Sequence, residues 1–206
     1  MLKSFITNIL NKEHSKYIFK QEALFQEALG ELGMKGETHV NHQKGRCYLD
    51  GVEYRLIFPL RYFRTIKDLP KDKRHRYTFT GKRTEERLWV ETFANNTSIN
   101  STEKGREISK DYLDISYYLT MCHSKFTLCP KGDFNWTYRF FEAIMCKSIP
   151  IIERLGVDSS MDGFVYFLQD EKSAHRYSKK ICDDNYRLLV ARHSLLASVL
   201  DMHLET

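Results

Sequence analysis

From Arg76 onward the chain repeats one rhythm, and that rhythm limits the folds open to it. Short apolar runs, "RYTFTG" (Arg76–Gly81), "SKFTLCP" (Ser124–Pro130), "SIPII" (Ser148–Ile152) and "GFVYFL" (Gly163–Leu168), alternate with longer stretches of helical spacing. Thr84 is a candidate N-cap for a helix over 85–95, "EERLWVETFAN". A helix over 107–121 places Ile108, Tyr112, Ile115 and Leu119 on one side, and another spans 136–147. A short strand is expected near 97–101, and helices near 171–180 and 183–202 close the chain. Runs apolar on both faces cannot stand with one face in water, and their separation is too long for hairpins. The pattern predicts an α/β fold: a Rossmann-like, mostly parallel sheet with helices on both faces.

The first seventy residues read differently. Helices are expected over 2–12 and 18–32, then a β-rich passage, "RCYLDGVEYRLIFPLRYF" (Arg46–Phe63). Within it, Asp50-Gly51 between alternating flanks predicts a tight hairpin. "DLPKDKRHR" (Asp68–Arg76) is a charged connector. The resulting division is a short N-terminal α+β extension over 1–70 and a Rossmann-like domain over 71–206. The first helix reads as an amphipathic helix facing a core; an interfacial helix is the second reading, and peripheral membrane contact is compatible with it. No stretch is long and apolar enough for a transmembrane segment.

Charge and cysteine usage narrow the partners. The 32 basic and 27 acidic residues leave a net charge of +5, which favours an anionic partner without selecting nucleic acid. The five cysteines, Cys47, Cys122, Cys129, Cys146 and Cys182, show no C-x-x-C spacing. They read as buried, reduced thiols of a cytoplasmic protein. The eight histidines lack H-x-x-x-H or H-E-x-x-H spacing, and no D-x-D occurs, so no metal is expected.

Open parallel sheets bind ligands beyond the carboxyl ends of their strands. Two such ends are chemically loaded here: Thr80-Gly81-Lys82-Arg83, and the segment from Pro130 to Arg139, "PKGDFNWTYR". Each carries a glycine that admits close backbone approach, each carries cations, and each is expected to lead into a helix N-terminus, where unpaired N–H groups favour an anion. Neither is a P-loop or a dinucleotide fingerprint. Arg139 and Glu142 share one turn of a largely apolar helix, so their face is expected to open on a cleft.

The stretch "SKFTLCPKGDFNWTYRFFEAIMCKSIPII" resembles the signature of exostosin-like glycosyltransferases of the family 47 type. In that family S-K-F-x-L-x-P leads through a glycine loop to R-x-x-E-A and a G-x-I-P-V-I strand. "RYTFTGKR" and "YYLTMCHSKFTLCP" stand in the family's order, and the resemblance covers about residues 76–155. Lys147-Ser148 stands where the family carries its glycine. The resemblance implies the donor half of a two-Rossmann (GT-B-type) enzyme. It would transfer a hexosyl or pentosyl group from a nucleotide-diphosphate sugar to a glycan or glycoconjugate acceptor in glycan biosynthesis; the missing D-x-D adds the expectation of transfer without a metal, and inversion is expected ahead of retention, which the residues leave open. It also implies that Arg139 faces the donor diphosphate and Glu142 the ribose hydroxyls, these two forming the catalytic pair. Lys82 or Arg83 would line the phosphate side, and Gly81, Lys131, Gly132, Asn135 and Thr137 complete the expected phosphate-binding set.

For a general base the residues leave Asp50, Glu53 and His42 open. The first seventy residues are too few for a complete acceptor domain, so a minimal enzyme or a chain pairing with another subunit or copy is expected. Two other readings stand beside the transferase: a non-catalytic nucleotide- or glycan-binding partner of a larger transferase, and a basic nucleic-acid-binding module. No nucleic-acid motif supports the last.

Overall fold

The computed structural model describes residues 20–93, 97–102, 113–132 and 134–195. The expected helix over 2–12, the start of that over 107–121 and the end of that over 183–202 lie outside them. The described chain divides into two compact units. One runs through Leu60 and takes up the chain again at Arg192; the other is Arg61–Ala191. The division falls ten residues before the 70/71 boundary drawn from the sequence.

In the first unit, helix α1 (residues 20–31) precedes an antiparallel sheet of β1 (Thr38–Asn41), β2 (Arg46–Leu49) and β3 (Val52–Arg55). The β2–β3 turn is Asp50-Gly51, with φ of 49° and 80° between the paired residues Leu49 and Val52. Two successive positive φ values define the hairpin turn that Asp-Gly favours. Phe25, Ala28 and Leu29 of α1 pack on Val40, Cys47, Leu49 and Tyr54 of the sheet, with Ile57 and Leu195 completing the core. His193 is buried here, its Nδ1 2.7 Å from the Leu56 carbonyl oxygen, and Phe58 donates its N–H to the His193 carbonyl.

The second unit begins with α2 (Leu60–Asp68). This corrects the β-rich expectation for the end of Arg46–Phe63: Tyr62, Phe63 and Ile66 recur at helical spacing and are the buried face. Then follow β4 (His75–Lys82), a 3₁₀ segment (Glu85–Phe93), β5 (Thr97–Thr102), α3 (Ile115–Cys122), β6 (Ser124–Leu128), α4 (Tyr138–Met145), β7 (Ile149–Ile152), β8 (Phe167–Leu168) and α5 (Lys179–His193). The strands form one sheet in the order β5-β4-β6-β7-β8, parallel throughout. The Rossmann-like α/β expectation for this region is what the structure shows.

Alternation along the strands assigns the faces. Tyr77, Phe79, Phe126, Leu128, Ile149 and Ile151 cluster with Val90 and Phe93 of the 3₁₀ segment and Cys182 of α5. Thr78, Thr80 and Thr127 lie instead beside Tyr117, Thr120 and Met121 of α3. Burying each large aliphatic or aromatic chain in such a layer contributes about 1.5–3 kcal/mol. Lys73 fastens the helices on that side: its ammonium donates to the carbonyls of Cys122 (2.8 Å) and Cys146 (3.1 Å), at the ends of α3 and α4. Burial pulls its pKa down to about 8. Among the described residues, no helix is long and apolar enough to cross a membrane.

Three expectations need correction. Residues 85–93 are 3₁₀ rather than α-helical, with Arg87 N–H bonded to the Thr84 carbonyl three residues back. The stretch 171–180 holds only a 3₁₀ turn, Lys172–Ala174, before α5 begins. There His175 turns inward to stack on Phe93, with its Nε2 2.8 Å from the Leu168 carbonyl oxygen, and a continuous helix could not deliver both. Of "GFVYFL", only Phe167–Leu168 pairs as strand, since Asn185 takes both the N–H and the carbonyl of Val165 out of the ladder.

The departure at Lys147 has a definite geometry. After α4, Lys147 N–H bonds the Ile144 carbonyl and Ser148 N–H bonds the Ala143 carbonyl, both at 2.9 Å, while Lys147 has φ 52°. This is a Schellman ending, whose left-handed residue is ordinarily glycine. The lysine ammonium meets Asp183 of α5 at 2.5 Å, offsetting part of the steric cost. Lys147→Gly is expected to melt at or slightly above the parent and to exceed Lys147→Ala by about 1 kcal/mol in thermal unfolding, because only glycine relieves the backbone.

Acid should unfold the chain through His193. Burial pushes its folded pKa down from 6.5 to about 3. The unfolded chain therefore binds the extra proton first, and stability falls as pH drops from 6.5 towards 3, by up to about 1.4 kcal/mol per pH unit. Urea titrations across pH 4–7 are expected to show this acid limb in the parent and a flatter one in His193→Gln.

Candidate functional site

The sheet order places the site before any side chain is considered. Counted from β4, the strands run 2-1-3-4-5, so the connections leave β4 in opposite directions and open a crevice at the carboxyl ends of β4 and β6. Both loops singled out in the sequence begin there. The β4 ending carries Gly81, Lys82 and Arg83; the β6 ending carries Lys131, Gly132, Asn135 and Thr137 on the way to α4.

Arg139, in the first turn of α4, crosses between them. Its Nη2 donates to the Thr80 carbonyl at 2.9 Å, its Nε lies 3.3 Å from the Tyr117 hydroxyl, and its guanidinium sits 4.5 Å from the centroid of Phe79. Gly81 makes room for it: a Cβ there would stand 2.8 Å from Nη2. Thr137 caps α4, its hydroxyl accepting from Arg139 N–H at 3.4 Å.

Glu142, one turn further along, is 2% exposed. Its carboxylate accepts from the Tyr117 hydroxyl at 3.1 Å and the Tyr118 hydroxyl at 3.0 Å. The two tyrosines are neighbours in the first turns of α3, whose start Asp114 caps by accepting from Tyr117 N–H. The face bearing Arg139 and Glu142 thus meets α3 at Glu142 and the crevice at Arg139.

The remaining expected residues are distributed along the rim. Lys82 and Arg83 are exposed, and Arg83 forms a two-point pair with Glu91 at 2.8 and 3.3 Å. The 3₁₀ segment that follows opens with Glu85 and Glu86, so it does not offer the uncompensated helix N-terminus expected on this side. Gly132 and Asn135 are exposed, and Lys131 is partly buried.

Three contributors were missed. Glu153, just past β7 and 9% exposed, accepts the Lys131 backbone N–H at 2.7 Å and so holds the loop in place. Arg87 lies between the loops: its Nη1 donates to the Lys82 carbonyl oxygen at 3.4 Å, and its Nη2 is 4.0 Å from where a Cβ on Gly132 would stand. Tyr117 joins Arg139 to Glu142. A carboxylate at the carboxyl end of an all-buried strand could have pointed to Glu153; nothing in the local sequence marks Tyr117 or Arg87. Among the described residues, no three His, Cys, Asp or Glu side chains form a group that could hold a metal ion.

A doubly wound parallel sheet with its crevice at the switch point is a Rossmann-like fold, consistent with a GT-B donor domain. Residues 62–161 match the family model described as the Exostosin GT47 domain. The chain therefore carries an exostosin-like domain of glycosyltransferase family 47. The match spans β4 through β7 and encloses Arg139, Glu142 and both loops. No curated protein matches the chain.

The seat of Arg139 can be tested directly. Gly81→Ala is expected to keep the fold, at a cost of about 1–3 kcal/mol in thermal unfolding. The new methyl would stand 2.8 Å from both the guanidinium tip and Cζ of the buried Phe79 ring, so it displaces side-chain atoms rather than backbone, and the guanidinium, the more flexible of the two, gives way first. Crystallography of that variant should show Nη2 withdrawn from the Thr80 carbonyl.

Proposed function

We propose that this chain transfers a sugar from a nucleotide-diphosphate donor to a glycan acceptor, with protein cations rather than a metal ion stabilising the leaving diphosphate. The observation that carries the reading is the guanidinium of Arg139 held at the switch-point crevice, at the start of a capped helix. In the transfer, the bond from the anomeric carbon to a diphosphate oxygen breaks as the bond to the acceptor oxygen forms. The acceptor proton passes to a general base. Charge grows on the diphosphate, and a preorganised cation beside helix N–H groups lowers that barrier without reorganising.

In this scheme Arg139 faces the diphosphate, and Lys131, Gly132, Asn135 and Thr137 shape the loop over it. Gly81 and Lys82 form the opposite wall. Arg83 joins them by exchanging its pair with Glu91, which is exposed and worth little in water. Glu142 stands behind Arg139 and completes the pair.

The test is a thermal-shift screen against UDP-, GDP-, ADP- and CMP-sugars, with and without Mg²⁺. One diphosphate donor class is expected to stabilise the protein without metal, by about 2.7 kcal/mol at a hundredfold excess over Kd. Arg139→Ala should lose roughly 1.5–3 kcal/mol of that affinity, measured by calorimetry, together with sugar transfer. Unchanged nucleotide affinity in Arg139→Ala would sink the site assignment.

A further inference from the structure

Glu142 and Arg139 are one turn apart, yet the structure joins them through a third residue. The Tyr117 hydroxyl lies 3.1 Å from Glu142 Oε2 and 3.3 Å from Arg139 Nε. A hydroxyl has one proton to give and lone pairs to accept with. Given to the carboxylate, that proton leaves the oxygen to accept from the guanidinium. The polarity of the chain is thus set: Arg139 donates to Tyr117, and Tyr117 donates to Glu142. Hydrogen bonds aligned in this way polarise one another, most strongly where water is excluded. Tyr117 is 5% exposed and Glu142 2%.

The other contacts of Arg139 complete the hold. Thr80 takes Nη2 and Phe79 covers one face of the guanidinium. With Nε and Nη2 occupied, the plane and rotation of the guanidinium are both determined. Binding a diphosphate then costs little further ordering of a side chain that is otherwise among the most mobile.

We infer that Glu142 is a positioning residue, acting through Tyr117 to orient Arg139 for the donor diphosphate, and that Tyr117 is the relay between them. This rests on the proposed donor site. It gives Glu142 a role in place of contact with the ribose, since the residue is 2% exposed and each of its oxygens is turned to a tyrosine hydroxyl. Tyr118 supplies an internal comparison. Its hydroxyl goes to the other oxygen of the same carboxylate, so Tyr118→Phe removes a bond to Glu142 while leaving the Tyr117–Arg139 link in place.

The experiment titrates UDP, GDP and ADP by calorimetry into the full chain and its Tyr117→Phe, Tyr118→Phe, Glu142→Gln and Tyr117→Phe/Glu142→Gln variants. In parallel, NMR follows hydrogen exchange at Arg139 Nε. Tyr117→Phe is expected to weaken the preferred nucleotide about tenfold, the loss of one bond to a charged group. It should also speed Nε–H exchange. Tyr118→Phe should stay within about twofold of the parent in both readouts, even where its melting temperature falls equally. The double variant should bind no more weakly than Tyr117→Phe alone, because Glu142 works only through that hydroxyl.

Additive losses in the double variant would mean that Glu142 contacts the nucleotide itself, and would overturn the relay. So would equal losses from the two tyrosine variants, or unchanged Nε–H exchange in Tyr117→Phe. If Glu142→Gln does not fold, the comparison of the two tyrosines decides alone. If the parent binds none of the three nucleotides, the donor reading falls, and the exchange rates still decide whether Tyr117 holds Arg139.

Discussion

The bond from Arg139 to the Thr80 carbonyl is the contact on which the candidate site depends. It ties the start of α4 to the carboxyl end of β4 and spans the one place in the sheet where strand order reverses. Gly81 is small so that the guanidinium can lie there, and Phe79 supplies an aromatic face for it. The Tyr117–Glu142 arrangement fixes it from the α3 side. A cation placed in this way is expensive to desolvate, and the carbonyl, hydroxyl and ring each return part of that cost.

The same economy appears at helix ends across this unit. Thr137 and Asp114 cap the starts of α4 and α3, and one half-buried lysine, Lys73, serves the final carbonyls of both. The left-handed ending of α4 carries Lys147, whose charge reaches Asp183 on α5. These contacts set how α3 and α4 lie over the threonine side of the sheet, and therefore where Tyr117 and Arg139 meet. Site geometry is downstream of capping chemistry.

Much of this was legible in the residues. The strand runs, Asp50-Gly51, the two glycine-bearing cationic loops and the Arg139-x-x-Glu142 turn all correspond to elements in the structure. So does the departure at Lys147, which sits where a left-handed backbone is required. Less visible were the elements whose form is set by distant partners. Residues 85–93 have ordinary helical composition but adopt 3₁₀ form while burying Val90 and Phe93 against the sheet. Residues 171–180 give up a helix so that His175 can reach Leu168 and the aromatic layer. Arg46–Phe63 read as strand to its end because an apolar run has no period that separates strand from a short buried helix.

By itself the sequence determined the alternation of strands and helices, the parallel sheet, and which loops carry cations and glycine. These follow from local periodicity, turn chemistry and the need to bury apolar faces, all encoded within a few residues. Only the tertiary structure decided that Glu142 points to two tyrosines, that Glu153 holds the Lys131 loop, that Arg87 lies between the two loops, and that Tyr117 stands between a carboxylate and a guanidinium. The contacts of Glu142, Glu153 and Tyr117 join residues 22 to 25 positions apart. Such pairings depend on strand order and helix placement, which only the assembled sheet sets.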